Sequence, residues 1–355
     1  MGSLTRSLSA IAIALGLATA PVFGQAGRVV HDTVQSSALT GNLLGDSPSR
    51  EVLVYLPPGY DRAPLRRYPV LYLLHGFLAH PNLWLGEGYF GPFNLAQAID
   101  SLVSAGTVRE FLIVMPDGST QLGGSFYTSS TTNGDWEKFL ARELVDHVDR
   151  TYRTIRRATS RGLAGHSMGG YGTFRLLLLR PGVWGAGYAL STGTRVDSAD
   201  ALGSADSALA ITMPEQLHHA NIRVQAMFAR AAARSPDPRR PPFYGDLPVR
   251  RVGGHVQIDR KVFARWERQS VLALVSAHPA ALRSLKGLAF DVGDSDQFGF
   301  APQVETLDSL LTSLAVPHMF DEYHGRHSDK VPERMTAHVL PFFSQVLEFE
   351  DTASH

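Results

Sequence analysis

The chain has 355 residues, 44% hydrophobic and 19% charged, a composition that fits a globular protein with a sizeable core and excludes a disordered one. Lysine plus arginine balance aspartate plus glutamate at 33 each, so no charge excess favours nucleic acid or an acidic membrane surface as a partner. Cysteine is absent, which excludes disulfides, thiolate metal sites and a lipid-modified N-terminal cysteine.

The first residues read as a leader. Arg6 precedes the uncharged apolar run AIAIALGLATA (10–20), and small residues follow around Gly24 and Ala26. This is the layout of a secretory signal peptide over residues 1–26, cleaved after Gly24 or Ala26. The run is shorter than the ~20 apolar residues of a membrane span, so no stable membrane insertion is expected. A secreted or periplasmic location follows.

Residues 27–355 are expected to form one domain. REVLVYLPPGYD (50–61) reads as a strand running into a Pro-Pro-Gly turn. YPVLYLLHG (68–76) is apolar without alternation, the signature of a strand buried on both faces. FNLAQAIDSLVSAG (93–106) has helical spacing and ends at a glycine, and EFLIVMPDG (110–118) is a third strand. In DWEKFLARELVDHVDRTYR (135–153), Phe139, Leu140, Leu144, Val148 and Tyr152 keep a helical period behind Asp135 as N-cap. A short strand, SRGLAG, leads through Ser167 into a helix that must stop before Pro181.

Further strands are expected at 184–192, 285–294 and VPHMFDEY (316–323), and a last helix is expected to kink or restart at Pro341. Strands alternating with helices imply an α/β fold, a mostly parallel central sheet with helices on both faces. Residues 195–283 break the rhythm. They hold helical stretches and a Pro/Arg-rich piece but no evident sheet strand, and read as an insert: a cap over one end of the sheet or a surface excursion.

RGLAGHSMGGYG (161–172) places Ser167 in a Gly-x-Ser-x-Gly pattern between a buried strand and a helix. That is the context of a nucleophile held on a sharp strand-to-helix turn, above the edge of the sheet where α/β folds bind ligands. The blander reading is that the glycines only let a strand pack closely on a helix. A nucleophilic serine needs a base and an acid on later loops. Asp291, Asp294 and Asp296 compete for the acid, with Asp291 inside an apolar run. His324 and His327 compete for the base. His166 reads as a packing residue and His75 as a loop anchor.

PVLYLLHGF, GHSMGGYG, DVGDSDQF and GRHSDK, in this order, resemble the esterase D superfamily, which includes S-formylglutathione hydrolases, feruloyl and acetyl-xylan esterases and mycolyltransferases. The likeness runs from about residue 51 to 343. It implies an α/β-hydrolase fold and a carboxylic-ester hydrolase working through an acyl-enzyme, without a cofactor or metal. The family's acid immediately precedes QF, which implies Asp296. Its histidine precedes a small residue in a glycine-containing loop, which implies His327. The oxyanion hole would come from the backbone amides of Phe77 and Met168. The insert is longer than the family pattern and leaves the substrate pocket open. Tyr127 and Trp136, in the loop 123–136, are candidate substrate contacts; Trp136 can equally pack in the core. The expected partner is a small or polymer-linked ester, and nothing in the chain indicates an oligomeric state. Acyl transfer to an alcohol and non-catalytic binding on a hydrolase scaffold are the alternatives.

Overall fold

The computed structural model describes residues 26–350, so the expected leader lies outside the described residues except for Ala26. The chain opens with β1 (Arg28–Gln35), which the sequence reading did not anticipate: Val34 is its only buried residue, leaving no apolar face to detect. It pairs antiparallel with β2 (Ser49–Leu56) at the sheet edge. β3 (Val70–Leu74), α1 (Leu95–Ser104) and β4 (Leu112–Pro116) follow where the patterns place them. α1 begins at Asn94, whose side chain accepts from the Gln97 amide.

The helix expected over 135–153 is one continuous stretch in three parts: α2 (Trp136–Lys138), a π-helical segment (Phe139–Leu144) and α3 (Val145–Thr151). Asp135 caps it by accepting from Lys138 N. β5 (Arg161–His166), α4 (Met168–Leu179) and β6 (Ala186–Leu190) come next. The insert is helical: α5 (Ser198–Gly203), α6 (Ala205–Ala210), α7 (Pro214–His218), α8 (Ile222–Arg234), α9 (Arg260–Glu267), α10 (Val271–Ala277) and α11 (Pro279–Arg283). It also carries a hairpin, β7 (Val249–Val252) and β8 (His255–Ile258), separate from the main sheet. β9 (Gly287–Gly293), α12 (Ala301–Ser313) and β10 (Met319–Tyr323) complete the alternation. The last helix runs through α13 (Val331–Arg334), a π-helical segment (Met335–Val339) and α14 (Leu340–Val346). The α-helix restarts at Leu340 after the π-helical segment, as expected, so that Pro341 falls in the first turn of α14, where a proline is tolerated.

The main sheet has eight strands in the order β1-β2-β4-β3-β5-β6-β9-β10. β1, β2 and β4 are joined antiparallel, and from β4 to β10 every pairing is parallel. Alternation in β3 explains its unbroken apolar run. Val70, Tyr72 and Leu74 enter the core under α4, while Leu71 and Leu73 enter the core under α1 and the C-terminal helix. β4 repeats the device with Leu112 and Val114 on one face and Ile113 and Met115 on the other. Each such fully buried leucine contributes about 2 kcal/mol. The strand order turns about β3, with β4 on one side and β5 on the other, which opens the crevice between the C-terminal ends of β3 and β5.

Candidate active site

Ser167 stands at that crevice. Between β5 and α4 it adopts φ 57° and ψ −112°, a left-handed backbone costly for a residue with a Cβ. Its amide donates to the Leu190 carbonyl at 2.9 Å, tying the turn to β6. The flanking glycines are required by close approach. A Cβ on Gly165 would stand 2.5 Å from the Gly169 carbonyl group, and one on Gly169 would collide with the Leu74 carbonyl oxygen of β3. The strained turn and the tight strand–helix packing are therefore one feature, not competing explanations.

Beyond β9 and β10, Asp296 and His327 meet. His327 Nδ1 lies 2.7 Å from Asp296 Oδ2, with the carboxylate side chain fully buried. The other oxygen, Oδ1, accepts the Phe298 amide at 2.8 Å, so the carboxylate is held from both sides. The alternative pair also meets, on the surface: His324 Nδ1 is 3.0 Å from Asp294 Oδ2, with the histidine side chain 93% exposed. That contact holds the Asp294 carboxyl below its usual range. Asp291 sits inside β9 and turns to the opposite side, where Arg334 Nε at 2.9 Å and the Tyr188 hydroxyl at 2.9 Å donate to it. Burial nevertheless pushes it up to about 6.

The His327 ring lies 4.7 Å from the His166 ring and 4.7 and 5.5 Å from the rings of Phe298 and Phe300 (centroid to centroid). Those two phenylalanines line the same cavity as Ser167. Among the described residues the Ser167 hydroxyl makes no hydrogen bond to the imidazole; without substrate such contacts are often long, and tighten on binding. His166 is fully buried, and its Nε2–H donates to the His327 carbonyl at 2.8 Å. Burial and the neighbouring His327 charge hold His166 well below the usual histidine range, so it serves as a neutral brace.

Met168 opens α4, where a first-turn amide has no acceptor in its own helix. Phe77 lines the same cavity on the loop after β3, and the two side chains meet at Gly124. The next amide, Leu78 N, donates to Gly123 O at 3.0 Å, which fixes that loop. Among the described residues neither the Phe77 nor the Met168 amide has a hydrogen-bond partner. His75 braces the same loop: Nδ1 donates to the Gly76 carbonyl at 2.8 Å, and Nε2 accepts the Gly118 amide at 2.8 Å.

The two residues expected to touch substrate are elsewhere. Tyr127 is fully buried; its hydroxyl donates to the His75 carbonyl at 2.9 Å, and its ring fills the space that Gly118 and Gly172 leave open. Trp136 is 1% exposed, donates through Nε1 to the Asn133 carbonyl at 3.0 Å, and packs in the core with Phe139. Both rings turn back into the core, Tyr127 from the loop and Trp136 from the first residue of α2. The cavity, about 340 Å³, is walled instead by Phe126, Met168, Tyr171 and the insert, through the segment 195–201 and one face of α8. Arg223, Met227, Arg230 and Arg234 lie on that face, at spacings of four, three and four residues. The spacing is visible in IRVQAMFARAAAR, but only the fold says that this face meets Ser167. Arg223 also donates through Nη2 to the Gln297 carbonyl at 3.0 Å, and Gln297 Oε1 accepts the His327 amide at 3.2 Å, so the insert is tied to the histidine loop.

A mostly parallel eight-stranded sheet with helices on both faces and a strained serine turn at its C-terminal edge is the α/β-hydrolase fold. Residues 47–332 match the family described as "Putative esterase", and the chain belongs to that family. It is 35% identical over 144 residues to an endo-1,4-beta-xylanase/feruloyl esterase of Xylanibacter ruminicola, a match covering 40% of this chain and 19% of that protein. It is 34% identical over 149 residues to Esterase Rv1288 of Mycobacterium tuberculosis, covering 42% of this chain and 28% of the relative. The chain thus spans less than a third of the length of these relatives. A solved structure described as a ferulic acid esterase superposes with a TM-score of 0.63 at 21% identity, over 91% of this chain and all of that one, a likeness of fold.

Proposed function

We propose that the protein is an exported serine esterase in which Ser167 is the nucleophile, His327 the base and Asp296 the residue that orients the base. The 2.7 Å contact between His327 and Asp296, beside the strained turn at Ser167, carries this reading. His327 Nε2 takes the hydroxyl proton as Ser167 Oγ attacks the ester carbonyl carbon. Asp296 holds the Nδ1–H tautomer and stabilises the imidazolium. The amides of Phe77 and Met168 receive the oxyanion; one such donor is worth about 3 kcal/mol in the transition state. Collapse expels the alcohol with the proton from His327. Water, activated by the same imidazole, then attacks the acyl-enzyme, and collapse of that second intermediate frees the acid and Ser167.

The purified protein is expected to hydrolyse a short 4-nitrophenyl ester, and Ser167→Ala to lower kcat by about 10⁴ or more with unchanged circular dichroism. A fluorophosphonate should label Ser167, read by peptide mass. Undiminished turnover in the variant, with the label on another residue, would move the nucleophile elsewhere. Feruloyl esters are the first natural class to assay, because the Xylanibacter relative and the superposed structure both carry that activity in their names. Export rests on the N-terminal segment; N-terminal sequencing of protein from the extracellular or periplasmic fraction should start at Gln25 or Gly27. A chain starting at Met1 would refute cleavage.

A further inference from the structure

The cavity beside Ser167 has one cationic wall. Its charged lining residues are Arg195, Arg223, Arg230, Arg234, Asp197 and Asp200. Both aspartates are engaged: Asp200 with Arg223, and Asp197 with Arg195 at 3.6 Å. Arg230 and Arg234 are left over. Among the described residues neither forms an ion pair with a carboxylate. Arg175, the next arginine inward, shows the contrast, since its Nε donates to Glu137 at 2.8 Å.

Arg230 and Arg234 stand one turn apart on α8 and bracket one aromatic ring. Their guanidinium carbons lie 5.2 and 5.8 Å from the Phe126 centroid, and that of Arg234 also lies 4.4 Å from Tyr171. Arg234 is 7% exposed, and its Nε–H is buried without a hydrogen-bond partner. Ring faces offset only part of what a guanidinium loses on leaving water. Two neighbouring cations also repel, and arginine does not escape by losing its proton. Burial and the Arg234 charge bring Arg230 down to about 10, still protonated at neutral pH. The missing component is an anion, and a carboxylate suits the planar donor fork.

We infer that the ester this enzyme takes carries a carboxylate, which seats against Arg230 and Arg234 while the scissile carbonyl stands at Ser167. This substrate class rests on the serine-esterase reading above. The aromatic wall of Phe126 and Tyr171 accommodates the apolar spacer between the two groups.

Matched pairs test it with the full mature chain. Monomethyl adipate against dimethyl adipate places the charge on the acyl side; 4-acetoxybutyrate against 4-acetoxybutyramide places it on the alcohol side. In at least one pair the anion is expected to have a kcat/KM about tenfold or more above its neutral partner, the worth of one charge-assisted hydrogen bond. That ratio should fall towards one in Arg230→Gln and Arg234→Gln and survive in part in Arg230→Lys. A wild-type ratio of one or less in both pairs overturns the inference, and so does a ratio unchanged in both glutamine variants. Adipate binding, measured by calorimetry on Ser167→Ala, separates the two readings. If no ester is turned over by the wild type but adipate still binds about tenfold more tightly than adipamide, the esterase reading fails and the anion site stands. Equal binding of the two overturns the anion site.

Discussion

Asp294 and Asp296 are two residues apart, as are their surroundings in chemistry: each carboxylate meets a histidine of the same loop at hydrogen-bond distance. Burial separates them. The Asp296–His327 contact is shielded from solvent, so its orientation is fixed and its charge unscreened, whereas the Asp294–His324 pair stands in water, where such pairs contribute little. Asp296→Asn is therefore expected to lower kcat by about 10⁴ through the wrong imidazole tautomer. Asp294→Asn and His324→Ala should change kcat/KM by less than about threefold, as befits an exposed pair. Steady-state rates on one 4-nitrophenyl ester decide between them; a large loss in Asp294→Asn with little loss in Asp296→Asn would exchange their roles.

For the elements, the strand–turn–helix at Ser167 is the critical unit. β5 and α4 approach so closely that backbone meets backbone at Gly165 and Gly169. Gly165→Ala adds a methyl group against the carbonyl of Gly169, and neither peptide has room to retreat without moving β3 or β6. Overpacking of this kind is expected to cost roughly 3 kcal/mol and to lower the melting temperature, measured by calorimetry or circular dichroism. A variant as stable as the wild type would show that the turn is looser than its geometry implies. The C-terminal helix shows the reverse case, a proline tolerated because it stands in the first turn of α14, just after the π-helical segment.

Over the whole molecule, stability depends on charges that the fold brings together from distant segments. At the end of β4, partial burial pushes the Asp117 carboxyl up. The Arg50 guanidinium, 3.0 Å away, and the Ser119 amide, which donates to it at 2.9 Å, outweigh that and hold it well below the usual carboxylate range. A carboxylate whose folded value is depressed contributes stability that is complete above its unfolded value of about 3.9 and is lost as pH falls through the folded one. Asp117→Asn should therefore cost roughly 3 kcal/mol at pH 7, leaving Arg50 buried without its counter-charge. The gap between wild type and variant should narrow as the pH falls below about 4. Denaturant titrations at several pH values measure it, and a constant gap would remove Asp117 from the acid response.

Local pattern was enough to determine the α/β class, the places of seven of the main-sheet strands and the serine turn, because buried strands need unbroken apolar runs and a turn of this kind needs glycine. Edge strand β1 left no such trace, since one buried residue gives no period to read; the other edge strand, β10, buries none and was placed by its position before the histidine loop. The loops proposed to carry the acid and the base were visible as motifs, but the histidine in contact with the buried carboxylate was decided by which side chains the ends of β9 and β10 turn inward. Tyr127 read as a substrate contact and Trp136 as equally suited to substrate or core, and only packing sent both inward. The lining of the cavity was set by tertiary structure alone. Its cationic wall comes from α8, whose residues lie some sixty positions from Ser167 in the chain, and no local rule states which face of an inserted helix will close over a distant turn.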